Sequence, residues 1–132
     1  MSLSPVFLTL PEVLQVHRDQ ADRYGGHQGI RDLGLLQSAI AAPSAGYSGG
    51  YLLDDVYEMA AAYLFHIVRN HPFVDGNKRT GLASALLFLY VNDIEVEAPL
   101  GETERLVLAV ATGEADRPEV ARFLRKHAPP AG

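Results

Sequence analysis

Apolar residues recur along this chain at three- and four-residue spacing, in blocks separated by Gly and Pro. The pattern predicts about six helices. Thr9-Leu10-Pro11-Glu12 is a capping-box sequence with Pro in the first turn. It opens a stripe of Leu10, Val13, Leu14 and Val16 that Gly25-Gly26 stops after Tyr24. Asp32 begins a shorter helix through Leu33, Leu35, Leu36, Ala39 and Ile40, with Pro43 beyond its end. Residues 43–50, Pro-Ser-Ala-Gly-Tyr-Ser-Gly-Gly, have the composition of a surface loop. From about Asp54 to Asn70, Val56, Met59, Ala60, Tyr63, Leu64, Ile67 and Val68 mark a long helix, and Pro72 breaks it. The next helix starts near Gly76 or Asn77 and runs to about Val91. It is apolar nearly all round, so it is predicted to be central and the most buried.

Asn92-Asp93 ends that helix. Ile94-Glu95-Val96-Glu97 alternates as a strand does, but no partner strand is evident. Thr103 to about Thr112 reads as helical. Asp116-Arg117-Pro118-Glu119 is a second capping box, opening a last helix to about Lys126. No repeat, low-complexity tract or linker interrupts the chain, which reads as one all-α domain over residues 1–132.

Composition narrows the chemistry. With 11 Lys plus Arg against 16 Asp plus Glu, the net charge is −5, which suits neither non-specific duplex binding nor direct nucleic-acid contact in general. Cysteine is absent, which excludes disulfides, thiolate nucleophiles and cysteine-ligated metals. The longest apolar run, Gly81 to Val91 with Ser84 inside it, is too short to cross a bilayer. The first residues lack the basic start and apolar core of a secretory signal, so a cytoplasmic location is expected.

The informative segment is His71-Pro72-Phe73-Val74-Asp75-Gly76-Asn77-Lys78-Arg79-Thr80, a polar loop between two strongly apolar helices. Its end is a helix N-terminus, where free N–H groups and the positive end of the dipole attract anions. Lys78 and Arg79 sit in that first turn, where the dipole disfavours cations unless an anion binds. Gly76 permits positive φ and close approach of a ligand. His71 is a candidate base toward a hydroxyl, and Asp75 a candidate Mg²⁺ ligand beside substrate phosphates. These are the parts that phosphoryl or nucleotidyl transfer needs.

The segment resembles the signature of the Fic/Doc superfamily, His-x-Phe-x-(Asp/Glu)-Gly-Asn-Gly-Arg. Lys78 replaces the second Gly, as in the Doc (death on curing) branch. Gly25-Gly26, Gly29-Ile30-Arg31-Asp32-x-Gly34-Leu35-Leu36, Gly49-Gly50-Tyr51 and Ala60-Ala61-Ala62-Tyr63 also resemble the Doc pattern in order and spacing, over about residues 8 to 95. The resemblance implies an all-helical Fic fold. It implies His71 as the base, Phe73 as the loop's anchor in the core and Asp75 as the Mg²⁺ ligand. It implies an anion hole from Gly76, Asn77 and Lys78, with Arg79 clamping a phosphate. For the Doc branch it implies a toxin that phosphorylates elongation factor Tu with ATP and arrests translation, paired with a Phd-like antitoxin. Protein AMP transfer, the usual Fic reaction, and a non-catalytic nucleotide- or antitoxin-binding module are the alternatives. No (Ser/Thr)-x-x-x-Glu-(Gly/Asn) inhibitory run is present: Val107 lies four residues after Thr103, and Asp116 four after Thr112. An inhibitor would therefore come from a separate chain.

The remaining features have plainer readings. Asn70 reads as a helix cap ahead of a ligand contact, and Thr80 as a first-turn helix residue. Arg31-Asp32 reads as a local ion pair plus N-cap, ahead of a substrate contact. His66 reads as a half-buried hydrogen-bonded residue, and His17, His27 and His127 as surface or structural. The acidic residues Asp93, Glu95, Glu97, Glu102 and Glu104 read as a solvated face, with contact to a basic antitoxin segment as the alternative. The resemblance also makes residues 43–51 a flap that aligns a target segment by β-augmentation.

Overall fold

A computed structural model describes residues 4–130. Helix α1 (Leu10–Tyr24) starts at the capping box: the Thr9 side chain accepts from the Glu12 N–H, and Glu12 returns to the Thr9 N–H. Asp32 caps α2 (Leu33–Ala41) through the Leu35 N–H. A 3₁₀ turn, Ala42–Ser44, then leads into a hairpin of β1 (Gly46–Tyr47) and β2 (Gly50–Tyr51). The surface loop expected over residues 43–50 is thus partly ordered. Pro43 is buried, and Gly46 faces Tyr51 across an antiparallel pair. Glycine permits that pairing, because a Cβ at Gly46 would run into the Gly50 carbonyl.

Helix α3 (Val56–Asn70) is capped by Asp55, and α4 (Asn77–Val91) begins after Gly76, whose φ is 79°. Met59 to Leu64 form an unbroken buried run in α3, which packs against α2, α4, α5, α6 and the 3₁₀ turn. Helix α4 fits closely because of Gly81: a Cβ there would lie 2.9 Å from Val68 Cγ2 and 3.2 Å from the Leu64 carbonyl oxygen. Its buried side carries Thr80, Gly81, Ser84, Ala85, Phe88 and Leu89, while Tyr90 and Val91 face solvent. The centre expected for α4 is therefore shared, and α3 is the hub.

Helix α5 (Leu100–Thr112) begins three residues before Thr103. Pro99 offers no side-chain cap, so the sequence carries no start signal there. The Thr103 hydroxyl bonds back to the Pro99 carbonyl instead. Helix α6 (Arg117–Lys126) has the second capping box, with Asp116 and Glu119 bonded reciprocally. Residues 94–97 form no strand. They lie over the core with Ile94 and Val96 packed inward and two backbone ties, from the Ile94 N–H to the Leu89 carbonyl and from the Glu97 N–H to the His127 carbonyl. No helix among the described residues is long and apolar enough to cross a membrane.

Candidate active site

The signature loop is held from three directions. From α1, the buried His17 ring stacks on Phe73 with centroids 3.8 Å apart and planes 5° from parallel. Its Nε2 donates to the Asp75 carbonyl at 2.8 Å. From the α1–α2 connection, residues 29–32 zip onto residues 72–74. Ile30 bridges Phe73, the Arg31 and Asp32 N–H groups donate to the Pro72 carbonyl, and the Val74 N–H donates to the Gly29 carbonyl. From below, Phe73 is fully buried in the core.

The end of α3 needs help, because its last carbonyls have no helical partner. Arg31 supplies it, donating from Nε to the His71 carbonyl at 2.6 Å and from Nη2 to the Asn70 carbonyl at 2.9 Å. The local Arg31–Asp32 ion pair expected from sequence does not form, since the guanidinium is spent on these carbonyls and Asp32 on its cap. Asn70 does not cap its own helix either; its Nδ2 donates to the Leu35 carbonyl and ties α3 to α2. His71 then adopts left-handed φ 53° and ψ 52°, which turns the chain out of α3.

Asn77 is the polar centre of the loop and is only 4% exposed. Its Oδ1 accepts from the Phe73 N–H at 2.9 Å. Its Nδ2 donates to the Phe73 carbonyl at 3.0 Å and lies 3.1 Å from His71 Nδ1. The Asp75 carboxylate is exposed and accepts from the Gly76 N–H through Oδ1. Its Oδ2 lies against Gly26, where a Cβ would come within 2.7 Å of it. Arg79 stacks over Tyr24, with its guanidinium carbon 4.7 Å from the ring centroid.

These residues surround one cleft of about 430 Å³, lined by Val68, His71, Asp75, Gly76, Asn77, Lys78, Arg79 and Ala111. Six of the seven sequence candidates therefore share one cavity, and the seventh, Phe73, anchors its floor. At the start of α4 the N–H groups of Asn77, Lys78 and Arg79 precede the first helical bond, from the Thr80 N–H to the Gly76 carbonyl. The cleft thus combines unpaired N–H donors, two cations, an imidazole and one carboxylate, a set suited to a polyphosphate. The match to a Fic/DOC family model covers residues 7–89, more than half of the chain. The chain belongs to the Fic/DOC family.

Relatives extend the likeness past that segment. The chain is 39% identical to Toxin Doc of Mycolicibacterium smegmatis over 103 residues, covering 76% of this chain and 79% of the relative. It is 38% identical to Protein kinase doc of Escherichia phage P1 over 116 residues, covering 87% and 90%.

Asp75 fits a Mg²⁺ ion of the kind that borrows most ligands from water and substrate phosphates. No group of three or more His, Asp or Glu capable of holding a metal occurs among the described residues, so these residues supply no free-standing cage. His66 stands apart from the cleft. It is half-buried, edge-on to Phe65, and lowered from the ordinary histidine value first by burial and then by the Arg117 cation. Sequence reasoning missed His17, Arg31 and Tyr24 as supports. Each reaches its partner across a long sequence separation, and only the Gly-Ile-Arg-Asp likeness to Doc pointed toward any of them.

Proposed function

We propose that this protein is a Mg-ATP-dependent protein kinase of the Doc type, the toxin half of a toxin–antitoxin pair. The observation that carries the reading is the convergence of His71, Asp75 and the Lys78- and Arg79-bearing start of α4 on one cleft. The names of the two relatives, a toxin and a protein kinase, support it.

In this reading the triphosphate lies against the unpaired N–H groups of α4. Lys78 and Arg79 neutralise charge that spreads over the transferred group. Tyr24 holds the Arg79 guanidinium at the cleft edge. Asp75 holds Mg²⁺, which neutralises phosphate charge when bound. The His71 imidazole takes the proton of the target hydroxyl. The hydroxyl oxygen bonds to the γ-phosphorus, the bond from that phosphorus to the β–γ bridging oxygen breaks, and ADP leaves. The Doc-like Lys78 in place of the Fic glycine implies γ- rather than α-phosphoryl transfer by resemblance to that branch. Physically, a charged side chain there fills space that glycine leaves open, so the triphosphate settles differently. The proposed target is a hydroxyl of elongation factor Tu, and the proposed inhibitor a Phd-like antitoxin on a separate chain.

The test is incubation of purified protein with Mg²⁺ and a translation extract, with ATP labelled at the α- or the γ-phosphate. Transfer of γ-label alone supports the kinase. Transfer of α-label replaces it with AMP transfer. No transfer by folded protein makes it a binding module.

A further inference from the structure

The Asn77 amide cannot turn round. The Phe73 N–H can only donate and the Phe73 carbonyl can only accept, so they fix Oδ1 and Nδ2 at 2.9 and 3.0 Å. Asn77 itself is buried, which shields its two bonds to Phe73 from water. The second Nδ2 hydrogen is then directed at His71 Nδ1, 3.1 Å away. A donor facing a ring nitrogen requires a lone pair there. The neutral ring must therefore carry its proton on Nε2.

We propose that Asn77 is a positioning residue that clamps His71 in the Nε2–H tautomer, a resting form unable to act as a base until the contact opens. This rests on the reading of His71 as the base. Either nitrogen leads to the same requirement. If Nε2 is to take the hydroxyl proton, its own proton must pass to solvent while Nδ1 gains one from solvent, which sets N–H against N–H at Asn77. If Nδ1 is to take it, the lone pair now bonded to Asn77 must be released. Asn77 is held by Phe73, and the His71 backbone is held through its carbonyl by Arg31. The motion left is rotation of the exposed His71 side chain toward the cleft. The clamp thus separates nucleotide binding, which uses α4, from base function, which uses a rotated His71.

Long-range ¹H–¹⁵N correlation spectra of the ¹⁵N-labelled full chain read the tautomer without any transfer reaction. The His71 signals are assigned by their loss in His71→Gln. The expected pattern for the neutral ring is a single tautomer, bare at Nδ1 and protonated at Nε2. An Nδ1–H form, or the averaged shifts of a free imidazole, would overturn the clamp. Asn77→Asp replaces the donor with an acceptor and should move the proton to Nδ1. An unchanged tautomer in that variant, if it folds, also counts against the clamp. If it does not fold, the wild-type spectrum decides. A clamped His71 in a chain that transfers nothing would defeat the kinase reading and leave the clamp standing. Transfer by a chain with an unclamped ring would do the reverse.

Discussion

The His17 imidazole lies flat on the Phe73 ring and donates to the backbone carbonyl of Asp75 two residues further on. One buried side chain of α1 thus fixes both the anchor of the signature loop and the peptide that carries the candidate metal ligand. Phe73→Ala should cost about 3–5 kcal/mol in urea unfolding, the usual range for emptying a buried phenyl site. His17→Phe keeps a ring against Phe73 but leaves the Asp75 carbonyl without its donor, a loss of roughly 1–3 kcal/mol. Equal stability of His17→Phe and wild type would show that the hydrogen bond contributes nothing.

Gly25 and Gly26 both have positive φ, 81° and 113°, but only Gly26 approaches Asp75. Alanine at either position should cost about 1–3 kcal/mol of backbone strain. Gly26→Ala should in addition push the Asp75 carboxylate aside and reduce the Mg²⁺-dependent part of ATP binding, measured by calorimetry with and without Mg²⁺. Gly25→Ala, with open space around its Cβ, should spare that part. Equal Mg²⁺ dependence in the two variants would refute the steric argument.

Arg31 carries two carbonyl bonds at the turn out of α3. Arg31→Ala should lower stability by roughly 1–3 kcal/mol, as for a lost charge-assisted pair. It should also raise hydrogen exchange at the N–H groups of Arg31, Asp32 and Val74, which bond the same segment. Unchanged exchange would mean that the backbone bridge holds without the side chain.

Two groups set opposite pH limits. Burial pushes the Tyr63 hydroxyl up to about 12, against the smaller opposing effect of the Leu8 N–H that it accepts. Its folded value exceeds its unfolded one, so its contribution is complete below about pH 10. It is lost as pH climbs through the folded value. His66 is lowered, so its contribution is present above about pH 6.5 and is lost as pH falls below that. Urea unfolding from pH 5 to 11 should show both flanks. Tyr63→Phe should flatten the alkaline flank at lower overall stability, because the Leu8 N–H loses its acceptor. His66→Gln should flatten the acid flank. Flanks of unchanged slope would mean that other groups govern them.

The helices that open on a local signal were legible: Thr9-Glu12, Asp32 and Asp116-Glu119 act within a few residues of themselves. Helix α5 lost its first turn because Pro99 caps nothing. The hairpin was read as loop because its four ladder residues are two Gly–Tyr pairs, with no alternating apolar face. The cleft residues were legible because nine consecutive positions hold nearly all of them. His17 sits 58 residues from Asp75, and Arg31 40 from His71, distances at which no periodicity speaks. The clamp on His71 was also out of reach. The resemblance places Asn77 near an anion, but only geometry shows its side chain spent on Phe73 and His71.

The most direct test of the central claim is the intact mass of purified elongation factor Tu after incubation with Mg-ATP and either the wild-type chain or His71→Ala. The account predicts a gain of one phosphoryl group with wild type and none with the variant, although the variant remains folded and still binds ATP. A gain of one AMP group, or equal phosphorylation by both proteins, would contradict it.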